Sequence, residues 1–235
     1  MNSGAREMKK KRFVLIVFFA IIIISFLITQ WPRPTIVKMG ESIHLDVEDD
    51  EKTAGILGRF YRNFGWYEGS CDITVLDCAL YDSPTDLGIS RQDIRETANN
   101  QTNHLEFLYI HIKVTNNNAV SINDDKSMNI GFINLVPASF FRGLGVFNST
   151  YTAKYGQIIM EYDPNVAYFS GYTEMQEGDR TDPYFHFKLN QGETCEYQLG
   201  FYIDKEYLED NEMVLSYGIN KYASTIEVRD ETKNY

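Results

Sequence analysis

Seventeen consecutive residues near the start of the chain carry no charge, and a cluster of cations stands just before them. The run is Phe13, Val14, Leu15, Ile16, Val17, Phe18, Phe19, Ala20, Ile21, Ile22, Ile23, Ile24, Ser25, Phe26, Leu27, Ile28 and Thr29. As a helix it would span about 25 Å, and Gln30 and Trp31 extend it towards the ~30 Å hydrocarbon core of a bilayer. Trp31 suits the headgroup level, and Pro32 and Pro34 end the helix. The cations before the run are Arg6, Lys9, Lys10, Lys11 and Arg12, whereas only Arg33 follows closely. Positive charge is retained on the cytoplasmic side, so the N-terminus is expected inside and everything from about residue 31 outside.

A cleaved signal peptide is the competing reading. Its apolar core would run about 7–15 residues and end at a small-x-small site. Here the run is longer and leads into Thr29-Gln30-Trp31-Pro32, with no Ala-x-Ala pattern. An uncleaved anchor is expected instead. No Cys just after the run could carry a lipid, and no GxxxG spacing marks a helix-pairing face. The expected organisation is a cytoplasmic basic tail at 1–12, a transmembrane signal-anchor helix at 13–30, a linker at 31–40, an extracellular domain at 41–230 and a frayed tail at 231–235.

The charge balance differs between the two parts. The chain has 22 Lys/Arg and 33 Asp/Glu, of which six and one fall in residues 1–34. Residues 35–235 therefore hold 16 against 32, a net of −16. Such a domain repels phosphate backbones, so no nucleic-acid partner is expected. Its length, about 200 residues, suffices for one core burying roughly 70% of the unfolded surface. Aromatics form 14% of the chain, with 16 Tyr and 15 Phe, which favours pleated, half-buried surfaces.

Alternation places the strands. Ile43, Leu45 and Val47 share one face of a short first strand. Residues 48–69 begin acidic and then space Ile56, Leu57, Phe60 and Phe64 as a short helix or loop would. Residues 71–80 read as a strand in which Cys71, Ile73 and Val75 face one way. Leu76, Cys78 and Leu80 join a common face only if the phase slips, the sequence mark of a β-bulge. Residues 82–104 are polar and read as a long loop with a helical turn at 90–97. The clearest strand is 105–114, with Leu108, Ile110, Ile112 and Val114 inward and Phe107, Tyr109, His111 and Lys113 outward.

Asn116-Asn117-Asn118 is a turn. Further strands are expected at 128–136, 157–162, 166–170, 185–189, 195–203, 213–219 and 225–228, with a turn at Asn190–Glu193 and an acidic helical turn at 204–211. Nine or ten short strands with turn signals between them indicate a mainly β, antiparallel sandwich.

Some stretches resemble a known family: Tyr81-Asp82-Ser83-Pro84-Thr85-Asp86-Leu87-Gly88, the strand Tyr109–Asn118, and Tyr184–Gly200 with Phe-Lys-Leu-Asn-Gln-Gly-Glu before a strand. Their order is similar to that of uncharacterised immunoglobulin-like, telokin-like surface proteins and lipoproteins of Gram-positive bacteria. The resemblance covers roughly residues 40–230. It implies an immunoglobulin-like β-sandwich on the extracytoplasmic side of a membrane. It transfers no functional residue, because the family is defined by fold. Lipoprotein members are held by lipid, whereas this chain would be anchored by a helix.

The cysteines are Cys71, Cys78 and Cys195, all in the expected outer part. Cys71 and Cys78 lie on one strand, roughly 23 Å apart, and cannot bridge each other. Cys195 could bridge either of them. The preferred alternative makes all three small buried hydrophobes.

Chemistry-bearing patterns are sparse. His44, His104, His111 and His186 form no HExxH, and no GxSxG elbow occurs. His111 and His186 would approach only if their strands were neighbours, and solvated residues are the preferred reading. No cofactor is expected. Ca2+ is the metal best matched to the acidic stretches 48–51, 122–125 and 174–182, but none fits a D-x-[DN]-x-[DN]-G loop and solvated loops are preferred. Sequons stand at Asn100 and Asn148. Phe60, Tyr61, Phe64, Trp66 and Tyr67 concentrate rings that could bind a glycan or an envelope protein if exposed; covering one end of the sandwich is the preferred alternative.

The expected function is thus a non-enzymatic binding module of the cell envelope. The alternatives are an envelope polysaccharide hydrolase, which would need two converging carboxylates, and an accessory subunit of a membrane complex acting through its helix.

Overall fold

The computed structural model describes residues 17–19, 35–48, 66–94, 104–121, 127–131, 133–142, 151–154, 157–171, 184–218 and 222–228. The chain divides into two compact units, Met1–Arg33 and Pro34–Tyr235. Of the expected membrane segment, Val17, Phe18 and Phe19 are helical and 41, 59 and 55% exposed. Residues 13–16 and 20–29, and the cations Arg6 to Arg12, lie outside the described residues. No helix among the described residues is long and apolar enough to cross a membrane.

The second unit is mainly β. Its strands are β1 (Thr35–Val37), β2 (Ser42–Asp46), β3 (Trp66–Glu68), β4 (Ser70–Tyr81), β5 (Glu106–Asn116), β6 (Val120–Ser121), β7 (Ser127–Gly131) and β8 (Ile133–Pro137), then β9 (Tyr151–Lys154), β10 (Gln157–Met160), β11 (Tyr168–Phe169), β12 (Tyr184–Lys188), β13 (Thr194–Ile203), β14 (Met213–Tyr217) and β15 (Tyr222–Thr225). Two short helices are described, α1 (Ser139–Arg142) and α2 (Lys205–Asp210). Asp204 caps α2 by accepting from the Tyr207 N–H at 2.9 Å.

A five-stranded antiparallel sheet runs β11-β13-β5-β4-β2, and a four-stranded sheet runs β1-β15-β14-β8. In the second sheet only β1 and β15 pair in parallel. The inward residues of both sheets join in one apolar cluster: Ile43, Leu45, Ile73, Ile110, Ile112, Leu199 and Phe201 from the first, Leu135, Met213, Leu215 and Tyr217 from the second. Two layers closing on one core are consistent with a β-sandwich. Each such aliphatic or aromatic side chain stabilises the fold by about 1.5–3 kcal/mol when fully buried.

The phase slip in residues 71–80 is a bulge. On β4 Val75 stands opposite Ile112 and Asp77 opposite His111, so Leu76 is the extra residue. Odd positions point inward before it and even positions after it, which buries Cys71, Ile73, Val75 and Cys78 together. On β5 the inward set is Leu108, Ile110, Ile112 and Val114, as the alternation indicates.

Several expectations need correction. Residues 127–137 are not one strand. Ser127–Gly131 pairs with β12 and Ile133–Pro137 with β14, so the two stretches have different partners. Thr35–Val37, within the stretch read as a linker, pairs with Tyr222–Ser224. The last strand is Tyr222–Thr225 and not 225–228, because Tyr222 and Ala223 supply the buried face. The loop after β4 carries 3-10 turns at Pro84–Leu87 and Arg91–Asp93; the second falls within the helical turn expected at 90–97, and the first was not expected. Ser83 and Asp86 close a capping box on the first of these, and Gly88 (φ 71°) ends it in the left-handed region.

No disulfide joins the three cysteines. Cys195 opposes Val114, and Val114 opposes Ile73, two residues along β4 from Cys71. Two strand spacings and two residues of rise separate the Cα atoms of Cys195 and Cys71 by roughly 11–12 Å. That exceeds the ~7 Å limit for a bridge. Cys78, opposite Ile110, is farther still from Cys195. Burial pushes the Cys71 thiol up to about 12, with Asp72 adding to the effect. Alkylation of the native protein is therefore expected to mark Cys195 alone, and unfolding to raise the count to three adducts by mass spectrometry.

Candidate functional site on the outer face of the five-stranded sheet

The outer face of the five-stranded sheet is divided into a polar half and an aromatic half. At the polar end, Ser42 bonds Thr74 between hydroxyls at 2.8 Å, and His44 Nδ1 meets Asp72 Oδ1 at 2.6 Å. Asp46 stands on the other side of the His44 ring at 3.8 Å. Next along the sheet, His111 Nε2 pairs with Glu196 Oε2 at 3.0 Å. These residues repeat at every second position of β2, β4, β5 and β13, which is why they share a face.

Beyond His111 the face turns aromatic. Tyr109 on β5 stands between Ala79 on β4 and Gly200 on β13, and Gly200 in turn faces Tyr168 on β11. One row farther, Phe107 lies between Tyr81 and Tyr202. The β4 bulge is what places Asp77, Ala79 and Tyr81 on this side, since an unbroken alternation would turn Tyr81 into the core.

Phe107 is fully buried although it points outward. The segment after β4 folds back over it, and Ile89, Phe107 and Ala167 form a second small core. Leu87, Ile94, Tyr109, Tyr168 and Tyr202 pack around that core. Tyr81 meets Tyr109 edge-on with ring centroids 6.3 Å apart, and Phe107 meets Tyr202 likewise at 5.6 Å. The four tyrosines remain partly exposed.

The electrostatics keep the phenols of Tyr109, Tyr168 and Tyr202 neutral. Burial raises the pKa of Tyr109, and the neighbouring Tyr168, Tyr81 and Asp77 raise it further. Tyr168 is raised by burial and by Asp93; Tyr202 is raised by burial, partly offset by Arg91. Neutral phenols donate and accept hydrogen bonds and present an apolar ring, so this face is suited to binding. Burial also raises Tyr162, Tyr197 and Tyr217 in the main core.

An acid whose folded pKa is raised stabilises the fold fully below its unfolded value, near 10 for a tyrosine, and loses that contribution as pH climbs through the folded value. Urea midpoints measured at stepped pH are thus expected to change little from pH 7 to about 8.5, to begin falling as the Cys71 thiol ionises in the unfolded chain, and to fall more steeply beyond about pH 10 as the tyrosines follow. Tyr217→Phe should make that alkaline fall shallower.

The aromatic residues singled out from sequence fare differently. Trp66, read as a ring that could bind if exposed, is only 1% exposed, and its indole N–H donates to the Gly69 carbonyl at 3.1 Å. It packs into the main core because β3 pairs with β6. Tyr67 lies in β3, and Phe60, Tyr61 and Phe64 lie outside the described residues. His186 is on β12, which pairs with β7, so it does not neighbour His111. The acidic stretches 122–125 and 174–182, residues 49–51 and both sequons lie outside the described residues. Among the described residues no group of three or more His, Cys, Asp or Glu could hold a metal ion.

The tyrosine cluster itself was not read from sequence. Its one signal was the outward aromatic pair Phe107 and Tyr109 on the clearest strand. Comparison with known proteins gave no match: no family model, no curated protein and no solved structure matches the chain.

Proposed function

We infer that the chain is a single-pass membrane protein whose second unit is an extracytoplasmic, immunoglobulin-like binding module of the cell envelope. One observation carries this reading: a charge-free run of 17 apolar residues with five cations before it and only Arg33 close behind. Moving those cations through hydrocarbon costs far more than leaving them inside. The exposed Val17, Phe18 and Phe19 support the reading, because a helix bearing such side chains is stable against lipid. The binding role is supported by the partly exposed tyrosines on a rigid sheet, and the order of strand and turn patterns resembles that of Gram-positive surface proteins.

The test uses an epitope tag at each end and protease added to intact cells. Loss of the C-terminal tag with retention of the N-terminal tag is expected. Survival of the C-terminal tag until lysis overturns the topology.

A further inference from the structure

We draw no further inference here: the strongest candidate, the outer edge of the five-stranded sheet at β2, where His44 lies between Asp72 at 2.6 Å and Asp46 at 3.8 Å, carries nothing, because no group of three or more His, Cys, Asp or Glu among the described residues could hold a metal ion and nothing in the structure shows what covers that edge.

Discussion

Replacing Asn116 by alanine is expected to lower the stability of the β unit by about 3–5 kcal/mol, the largest effect of any single polar substitution proposed here. Asn116 is buried at the end of β5, yet every polar atom of its side chain is engaged. Nδ2 donates to the Leu189 carbonyl at 2.9 Å and to the Ala119 carbonyl at 3.2 Å, and Oδ1 accepts from the Ala119 N–H at 2.7 Å. Its main chain adds two further bonds, to Glu193 and from Gly192. One side chain thus holds the 116–119 turn against the 189–193 turn. Alanine would strand three buried backbone groups, each costing about 1–3 kcal/mol when left without a partner. Asn116→Asp should be comparably harmful, because a carboxylate would face two carbonyl oxygens that need donors. The measurement is the urea midpoint of the full-length protein in detergent, with a thermal shift of roughly 10 °C expected for a unit of this size. A loss under 1 kcal/mol would mean that water replaces the amide.

Gly200→Ala is expected to cost about 1–3 kcal/mol, and Gly200→Val more. A Cβ added at Gly200 would lie 2.1 Å from Phe107 Cζ, with two further ring carbons within 2.9 Å. The ring cannot give way cheaply, because Ile89 and Ala167 enclose it. The same contact predicts its own rescue. Phe107→Leu alone should destabilise through the cavity it leaves, yet in the Gly200→Ala background it should recover at least about 1 kcal/mol. Additive losses in the double variant would show that the strand itself shifts to relieve the clash.

The strands with strong alternation were legible in the sequence, and so was their irregularity. The slip at Leu76 appears in the order of Cys71, Ile73, Val75 and Cys78 before any partner strand is known. The turn at Asn190–Glu193 was equally plain, and Glu193 closes it by accepting from the Asn190 N–H at 2.8 Å. Thr35–Val37 was not legible, because three residues carry no period and only the distant partner Tyr222–Ser224 defines them as a strand. Nor was the change of partner between Ser127–Gly131 and Ile133–Pro137, since an apolar run reads the same whether one sheet or two will take it. Trp66 was ambiguous for a related reason: a ring near polar neighbours can be buried or exposed, and the pairing of β3 with β6 decides which. The tyrosine face depends on three registers at once, β4 on β5, β5 on β13 and β13 on β11, so no local window contains it.

The parallel pairing of β1 with β15 has a consequence for how the molecule comes into being. Residues 35–37 leave the ribosome early but acquire their hydrogen-bond partner only when 222–225 arrive. Since β15 also lies between β1 and β14, it is the keystone of that layer. Such long-range closure makes completion a late and slow event. A chain halted before residue 222 would leave one side of β14 bare and β1 adrift, an unfinished product open to proteolysis.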